Sequence, residues 1–522
     1  MQKTDVKEKD DLGLTTLSKK SIKDDTSVYL FGDSHELHDR IVGKSGDFQR
    51  SITRIRGIKR GDFKIKIGIS KFNFFRLGEI AQFSSSLMGR RLDLRSVSMN
   101  FFPVKRLYSH FNEYVKELNM RIGPKQIQFF LTDERVPDLL RAVSLQADQY
   151  NEKDLLRLLG VLAEHPFIGP QTIVLDTFHR CNTNCVHCWI HSPKRKLDPA
   201  LRNLKMELPL YKKIVDDAAE LLCDEIIIQG DGEPLLDSRF MDIIRYARAK
   251  GLKVIFFTNG ILLDEKKAKK IIDLEINEIF CSLPAGSDTT YARINSMQSK
   301  ETFHKIVTNL KNFISLRSRL KKERPLLQIS HVIHNFNFHE LEAMAKIDAQ
   351  IGADKARFYL ARLDKNIKSL KIKPAHVRAM RKSLIKVEPY LRKKHIELQD
   401  NIYFQLKNYN SATGYWSENK FLRSGCPVGW FFSLILAEGE VSMCCHLRVV
   451  DYLRGGRYFK EVWNSESYNR FRIQAKFLMK NKKVTFPNGV KLYDEFCSHC
   501  DTHQVILRIH QLLRKYGLKQ FL

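Results

Sequence analysis

Six apolar runs of five to seven residues punctuate the chain: Thr172–Asp176, Glu225–Gln229, Lys253–Thr258, Glu278–Leu283, Leu326–Val332 and Lys355–Leu360. Short, nearly continuous apolar runs bounded by turn residues are the pattern of strands covered on both faces. The segments between them change period. Leu210, Ile214, Val215, Ala218, Leu221 and Leu222 are spaced as one face of a helix. Strands alternating with helices predict an α/β fold with a parallel sheet.

The pattern is different upstream. Residues 1–27 are charged, rich in Ser and Thr, and predict a disordered tail. A strand begins at Val28, and an internal repeat comes after it. Ile69–Ala81 parallels Ile333–Ala345 without a gap, pairing Phe72 with Phe336, Asn73 with Asn337, Phe74 with Phe338 and Leu77 with Leu341. His38-Asp39-Arg40-Ile41 with Phe48 matches Tyr291-Ala292-Arg293-Ile294 with Phe303, allowing a two-residue shift. Residues 28–165 therefore read as an α/β region resembling the second half of the downstream fold, the alternative being an unrelated α/β domain. Helices are expected over Tyr108–Leu118, Val136–Gln149 and Lys153–Glu164, and Pro166 and Pro170 mark the entry to the core.

Length and charge narrow the class. The 522 residues suggest two or three domains. The polar N-terminus has no apolar h-region and no stretch of 18 apolar residues occurs, so a cytoplasmic protein without a transmembrane segment is expected. The formal net charge is +29, and residues 357–394 hold 13 Lys/Arg against Asp364 and Glu388. Such a stretch favours an anionic partner, or is a solvated basic face. Nucleic acid would suit the charge, but no nucleic-acid-binding motif accompanies it.

Seven of the ten cysteines fall into spaced groups, which in a reducing compartment points to metal rather than disulfides. Cys223 and Cys281 stand in apolar contexts and read as core. Directly after the first strand comes Cys181-Asn182-Thr183-Asn184-Cys185-Val186-His187-Cys188. Three thiolates on one loop can hold three corners of a cubic iron-sulfur cluster, or part of a zinc site. After the second strand, Gly230-Asp231-Gly232-Glu233-Pro234 has two glycines that allow close backbone approach to a ligand, and an acceptor in Glu233. The third and fourth strands end in Thr258-Asn259-Gly260 and Cys281-Ser282-Leu283-Pro284. Near the C-terminus stand Cys426, then Gly439 and Cys444 with four residues between them, then Cys497-Ser498-His499-Cys500, with Cys445 as an alternative to Cys444. Four thiolates complete a zinc or iron-sulfur site. The tail Val505–Leu522 reads as an apolar and basic helix.

The cysteine loop, with the aromatic His187 before its last cysteine, resembles the cluster loop of the radical S-adenosylmethionine (SAM) superfamily. The resemblance implies a partial (β/α)6 TIM-like barrel over 166–395, with chemistry at the carboxyl ends of its strands. Cys181, Cys185 and Cys188 would hold a 4Fe-4S cluster whose open iron binds SAM. The Gly230–Glu233 segment is similar to the family's Gly-Gly-Glu motif, with Asp231 at the first glycine position; this implies cofactor contacts from Gly232 and Glu233. Ser282 matches a position that contacts the SAM ribose or carboxylate, His187 is placed beside the cofactor, and Asn259 stands at a turn frequent in the family. The order Cys, Gly-x4-Cys, Cys-x2-Cys over 396–522 resembles the shortened (twitch) form of the SPASM auxiliary module. Cys426, Cys444, Cys497 and Cys500 would then hold one auxiliary 4Fe-4S cluster in a small C-terminal domain. Together these resemblances imply an oxidoreductase that cleaves SAM to a 5′-deoxyadenosyl radical. It would oxidise an anionic small molecule, such as a sugar or cyclitol derivative, with flavodoxin or ferredoxin as electron donor. A peptide-modifying maturase and a zinc-stabilised nucleic-acid-binding protein are the other readings.

Overall fold

The computed structural model describes residues 27–30, 32, 35, 38–39, 46–57, 64–69, 80, 83–84, 86–87, 127–131, 135–149, 151–196, 199–399 and 401–521. Two compact units divide it: one takes the chain to Ile168 together with Ile509–Leu522, the other Gly169–Arg508.

The first unit has a parallel sheet of β1 (Ser27–Leu30), β2 (Lys64–Ile69) and β3 (Ile127–Leu131), in that order. Ile65, Ile67 and Ile69 alternate into its core with no exposure, as the two-residue strand period requires. Gly46 and Phe48 donate their amides to Asp39 at the start of helix Asp47–Gly57. Helices Arg135–Gln146 and Glu152–Ala163 come after β3, the latter capped by the Asn151 side chain on the Asp154 amide. Residues 1–26, positions 40–41 and 70–79 of the repeat, and the helix expected over Tyr108–Leu118 lie outside the described residues.

The second unit is built on one ten-stranded sheet. Its centre is six parallel strands in chain order: β4 (Thr172–Asp176), β5 (Glu225–Gln229), β6 (Lys253–Thr258), β7 (Glu278–Ser282), β8 (Leu326–Ile333) and β9 (Lys355–Leu360). They match the sequence expectation to within a residue at each end. Helices Leu208–Glu220, Phe240–Ala249, Glu265–Asp273, Asp288–Ile294 with Lys300–Arg319, and Leu341–Ile351 make the crossovers. Helix Pro374–Lys393 leads from β9 to β10 (Glu397–Gln399), which pairs parallel to β9. At the opposite edge β11 (Phe432–Ile435) runs parallel to β4, and β12 (Glu440–Ser442) and β13 (Val449–Tyr452) continue antiparallel. Strands on both sides of the expected boundary at 395 thus share one sheet. Pairing spare edges in this way satisfies backbone groups that would otherwise face water.

The two faces of each strand are distinct. On β5, Ile226 and Ile228 are fully buried while Ile227 and Gln229 line a cleft; on β9, Ala356 and Phe358 are buried while Arg357 and Tyr359 line it. Cys223 and Cys281 belong to the core, as expected. The C-terminal helix runs His503–Lys515 and stops before Gly517, whose φ of 66° is left-handed. Among the described residues no helix is long and apolar enough to cross a membrane. Phe256→Ala, at a site with no exposure, is expected to cost about 3–5 kcal/mol. Ile385→Ala, at a site 75% exposed, should stay within about 0.5 kcal/mol. The difference is to be read from urea unfolding followed by tryptophan fluorescence.

Candidate active site and a second cysteine cavity

The carboxyl ends of β4–β9 open into a cleft of about 480 Å³. Cys181, Cys185 and Cys188 all line it, with His187, Gly232, Glu233, Asn259 and Ser282, so the structure gathers every barrel residue singled out from the sequence. The residues between the cysteines explain how the loop is held. The Asn182 side chain accepts from Asn259 Nδ2 at 2.7 Å, and its carbonyl accepts from Gln298. Asn184 Nδ2 donates to Ser296 Oγ at 2.7 Å, and the Met297 amide donates back to Asn184 Oδ1. The Val186 amide donates to the Ile294 carbonyl at 2.9 Å. Thr183 Oγ1 lies 3.2 Å from the Cys181 sulfur and 3.7 Å from that of Cys185. Cys188 accepts the amides of Ile190 and His191 at 3.4 and 3.1 Å.

Desolvation pushes all three thiols upward, and neighbouring sulfurs add to the effect at Cys181 and Cys185. Three sulfurs that resist ionisation together become thiolates readily only when a positive centre shares their charge. All three are free cysteines on one wall, and they fit the three-thiolate set expected of a SAM-binding cluster.

The Gly-Asp-Gly-Glu segment corrects one expectation. The sequence suggests glycines that let a ligand approach, yet the approach is to the chain itself. A Cβ on Gly230 would lie 2.3 Å from the Phe178 carbonyl oxygen, and one on Gly232 would lie 2.2 Å from that of Arg180. The Glu233 amide donates to the same Arg180 carbonyl at 2.8 Å. The motif is therefore packed directly on the backbone that delivers Cys181.

Glu233 is 2% exposed. Oε1 accepts from Thr258 Oγ1 at 2.8 Å and the Leu235 amide at 3.1 Å, and Oε2 accepts the Asn259 amide at 2.7 Å. Burial pushes its pKa up to about 7, against the opposing pull of those donors. A carboxylate offers about four acceptor positions, so one is left for a donor in the cleft.

Asp231, the departure from two adjacent glycines, has a use of its own. Its amide donates to Asp176 Oδ1 at 3.0 Å, and His179 Nε2 lies 2.5 Å from Asp176 Oδ2 and 3.7 Å from Asp231 Oδ2. Burial and the Asp176 charge push the Asp231 carboxyl well up. Sequence reasoning missed Asp176 and His179; an acid closing an apolar strand, three residues before a histidine, was the available signal. His187 is half-buried, its ring centroid 5.4 Å from that of His334, and burial lowers the two to about 4 and about 2, so both are neutral at pH 7.

A second, small cavity is lined by Cys426, Cys444, Cys497 and Cys500. Cys426 enters on its amide's bond to the Ala475 carbonyl, ahead of Pro427. The turn after Cys444 is closed by the Met443 amide on the Arg448 carbonyl at 3.0 Å. Cys497 sits in the turn Glu495–His499, capped by Asp494, and the Cys500 amide donates to Ser417 Oγ at 2.8 Å. Desolvation raises Cys426 to about 12 and Cys497 to about 11. Cys445 lines the large cleft with Asp501, whereas Cys444 lines the smaller cavity with the other three cysteines. Four thiols in one apolar cavity fit a complete iron-sulfur ligand set.

Gly232→Ala is expected to force the Arg180 backbone and Cys181 out of place, since the contact it creates is with backbone rather than with a flexible side chain. Anaerobic reconstitution of this variant should load about four fewer irons per chain than wild type, counted against protein by iron and sulfide assay.

Residues 175–346 match the family model of the radical SAM superfamily, and residues 426–501 match that of SPASM, an iron-sulfur cluster-binding domain. The chain is 24% identical over 329 residues to the tungsten-containing aldehyde ferredoxin oxidoreductase cofactor-modifying protein of Pyrococcus furiosus, covering 58% of this chain and 83% of that protein. It is 22% identical over 347 residues to the AdoMet-dependent heme synthase of Methanosarcina barkeri, covering 64% and 91%. The mycofactocin maturase of Mycolicibacterium smegmatis is 28% identical over 186 residues, covering 35% of this chain and 43% of that protein. The chain is an enzyme that carries a radical SAM domain over residues 175–346 and a SPASM iron-sulfur cluster-binding domain over residues 426–501.

Proposed function

We propose that this protein is a radical SAM oxidoreductase acting on an anionic substrate held in the barrel cleft. The observation that carries the reading is the division of seven cysteines into two sets, three in the cleft at the strand ends and four in a cavity of their own. Cys181, Cys185 and Cys188 hold the SAM-binding 4Fe-4S cluster; Glu233 takes the amino group of SAM, with Gly232, Ser282 and His187 beside it. Cys426, Cys444, Cys497 and Cys500 hold the auxiliary cluster. When bound, these groups supply reductive cleavage of SAM to a 5′-deoxyadenosyl radical and a path for the second electron of a substrate oxidation.

The cleft wall supports the anionic class. Arg357 projects from β9 with its guanidinium carbon 4.8 Å from the Tyr359 ring centroid, and it has no hydrogen bond or ion pair among the described residues. Arg362, by contrast, is held by Asp501 at 3.0 Å. An unengaged guanidinium in a cleft is suited to a carboxylate or phosphate, which it can bind bidentately. An anionic sugar or cyclitol fits that chemistry. The similarity to a mycofactocin maturase favours a second reading, in which the anionic group is an acidic side chain of a peptide. Nothing beyond net charge favours nucleic acid.

Reconstituted wild-type protein is expected to carry about eight irons per chain, and Cys185→Ala about four with no 5′-deoxyadenosine formed. Cys497→Ser with Cys500→Ser should also keep about four irons and still cleave SAM under dithionite, while failing to release oxidised product. A folded double variant with full product turnover would sink the oxidoreductase reading.

The Glu233 assignment is tested by pH. Its pKa is raised from 4.5 to about 7, and a cationic amino group selects the ionised form. SAM binding, measured by equilibrium dialysis, should therefore tighten as pH rises from 6 to 7, by up to about tenfold per unit, below the range where the α-amino group itself titrates. Glu233→Gln should flatten this dependence and weaken binding by about 1.5–3 kcal/mol at pH 7. An unchanged pH profile in the variant would move the contact elsewhere.

A further inference from the structure

We propose that Arg448 sets the electrostatics of the second cysteine cavity, holding a fixed positive charge against the sulfurs of Cys444 and Cys497 so that the iron-sulfur group there is more readily reduced. The inference rests on the reading that the four cysteines bind such a group. Of the residues lining that cavity, Arg448 is the one with a permanent charge, and it is 2% exposed.

Its contacts use the whole guanidinium. Nε donates to the Leu492 carbonyl at 3.0 Å, one terminal nitrogen donates to the His446 carbonyl at 3.1 Å, and the other donates to Asp494 Oδ1 at 2.7 Å. Those three oxygens fix the plane of the group. The two remaining N–H bonds are directed to sulfur: to Cys444 Sγ at 4.0 Å and to Cys497 Sγ at 3.3 Å. An arginine has five N–H donors in a rigid fork, and here each has an acceptor. A lysine could supply the charge without the geometry.

The local chain dictates the placement. Leu447 adopts a left-handed φ of 52°, and the Met443 amide bonds the Arg448 carbonyl, so the turn returns Arg448 to the cavity that Cys444 enters. Asp494, whose side chain is 22% exposed, is the counter-charge and also accepts the Phe496 amide at 3.0 Å. The two residues therefore act on the cavity with opposite signs.

Hydrogen bonds to cluster sulfurs and nearby positive charge stabilise the more negative, reduced state and raise the reduction potential. The weak screening of a buried site strengthens the effect. A raised potential suits a centre that accepts an electron from substrate. Arg448 touches neither substrate nor SAM in this scheme, so it is a positioning residue.

The test is an EPR-monitored redox titration of the full reconstituted chain in a Cys185→Ala background, where the auxiliary signal is read alone. Arg448→Gln should lower the midpoint, shifting the oxidised-to-reduced ratio at the parent midpoint by about tenfold, which is 59 mV for a one-electron couple. Arg448→Lys should fall between the two. Asp494→Asn retains the acceptor for Phe496 but removes the charge, and should move the midpoint the opposite way. If Arg448→Gln does not retain iron, Asp494→Asn decides alone: an upward shift supports the inference, and an unchanged midpoint overturns it. Iron-replete Gln and Asn variants titrating at the parent potential, or moving in the same direction, overturn it too. A parent protein with no redox-active auxiliary signal overturns both this inference and the reading beneath it.

Discussion

The contact between the Gly230-Asp231-Gly232 loop and the backbone of Phe178–Arg180 is the constraint on which the site depends. Two carbonyl oxygens occupy the space where side chains would begin on Gly230 and Gly232. This lets the ends of β4 and β5 lie against each other and lets the Glu233 amide close on Arg180. The Asp176–His179–Asp231 group ties the same two loops through side chains. Cys181 comes next in the chain, so the position of the first thiol and the position of Glu233 are set by a single packing interaction.

The cysteine loop is then fastened at its other points by the asparagines between the thiols, which reach Asn259 at the end of β6 and Ser296 beyond helix Asp288–Ile294. Loops carry function best when a rigid scaffold positions them. Here the scaffold is the ends of parallel strands, and the loop's polar residues transmit that rigidity to the sulfurs.

One sheet serves both cysteine sites. β4 leads to Cys181, and β11, which starts shortly after Cys426, pairs with β4 from Thr172↔Phe432 to Leu175↔Ile435. β12 is next and leads to Cys444. The two sets are therefore in register through backbone hydrogen bonds. Their environments differ: polar groups and Arg357 share the large cleft, whereas apolar side chains and the fully engaged Arg448 surround the other.

By itself the sequence determined the six strands, the helices between them and the cysteine loop. Apolar runs and helical spacing are local consequences of burial, and a cluster of thiols within eight residues needs no tertiary information to be seen. It also identified Cys223 and Cys281 as core, because their neighbours are apolar. Only the tertiary structure decided that the glycines of the Gly-Asp-Gly segment face Phe178 and Arg180, that Cys444 rather than Cys445 joins the four-cysteine cavity, and that strands from the C-terminal region complete the barrel sheet. Each depends on contacts between residues far apart in the chain. Two adjacent cysteines have the same local pattern, and only the fold places Cys444 on the wall of one cavity and Cys445 on that of the other. Arg357 and Arg448 were indistinguishable from the other 86 basic residues for the same reason: a charge acquires meaning from what surrounds it, and its surroundings are made by the fold.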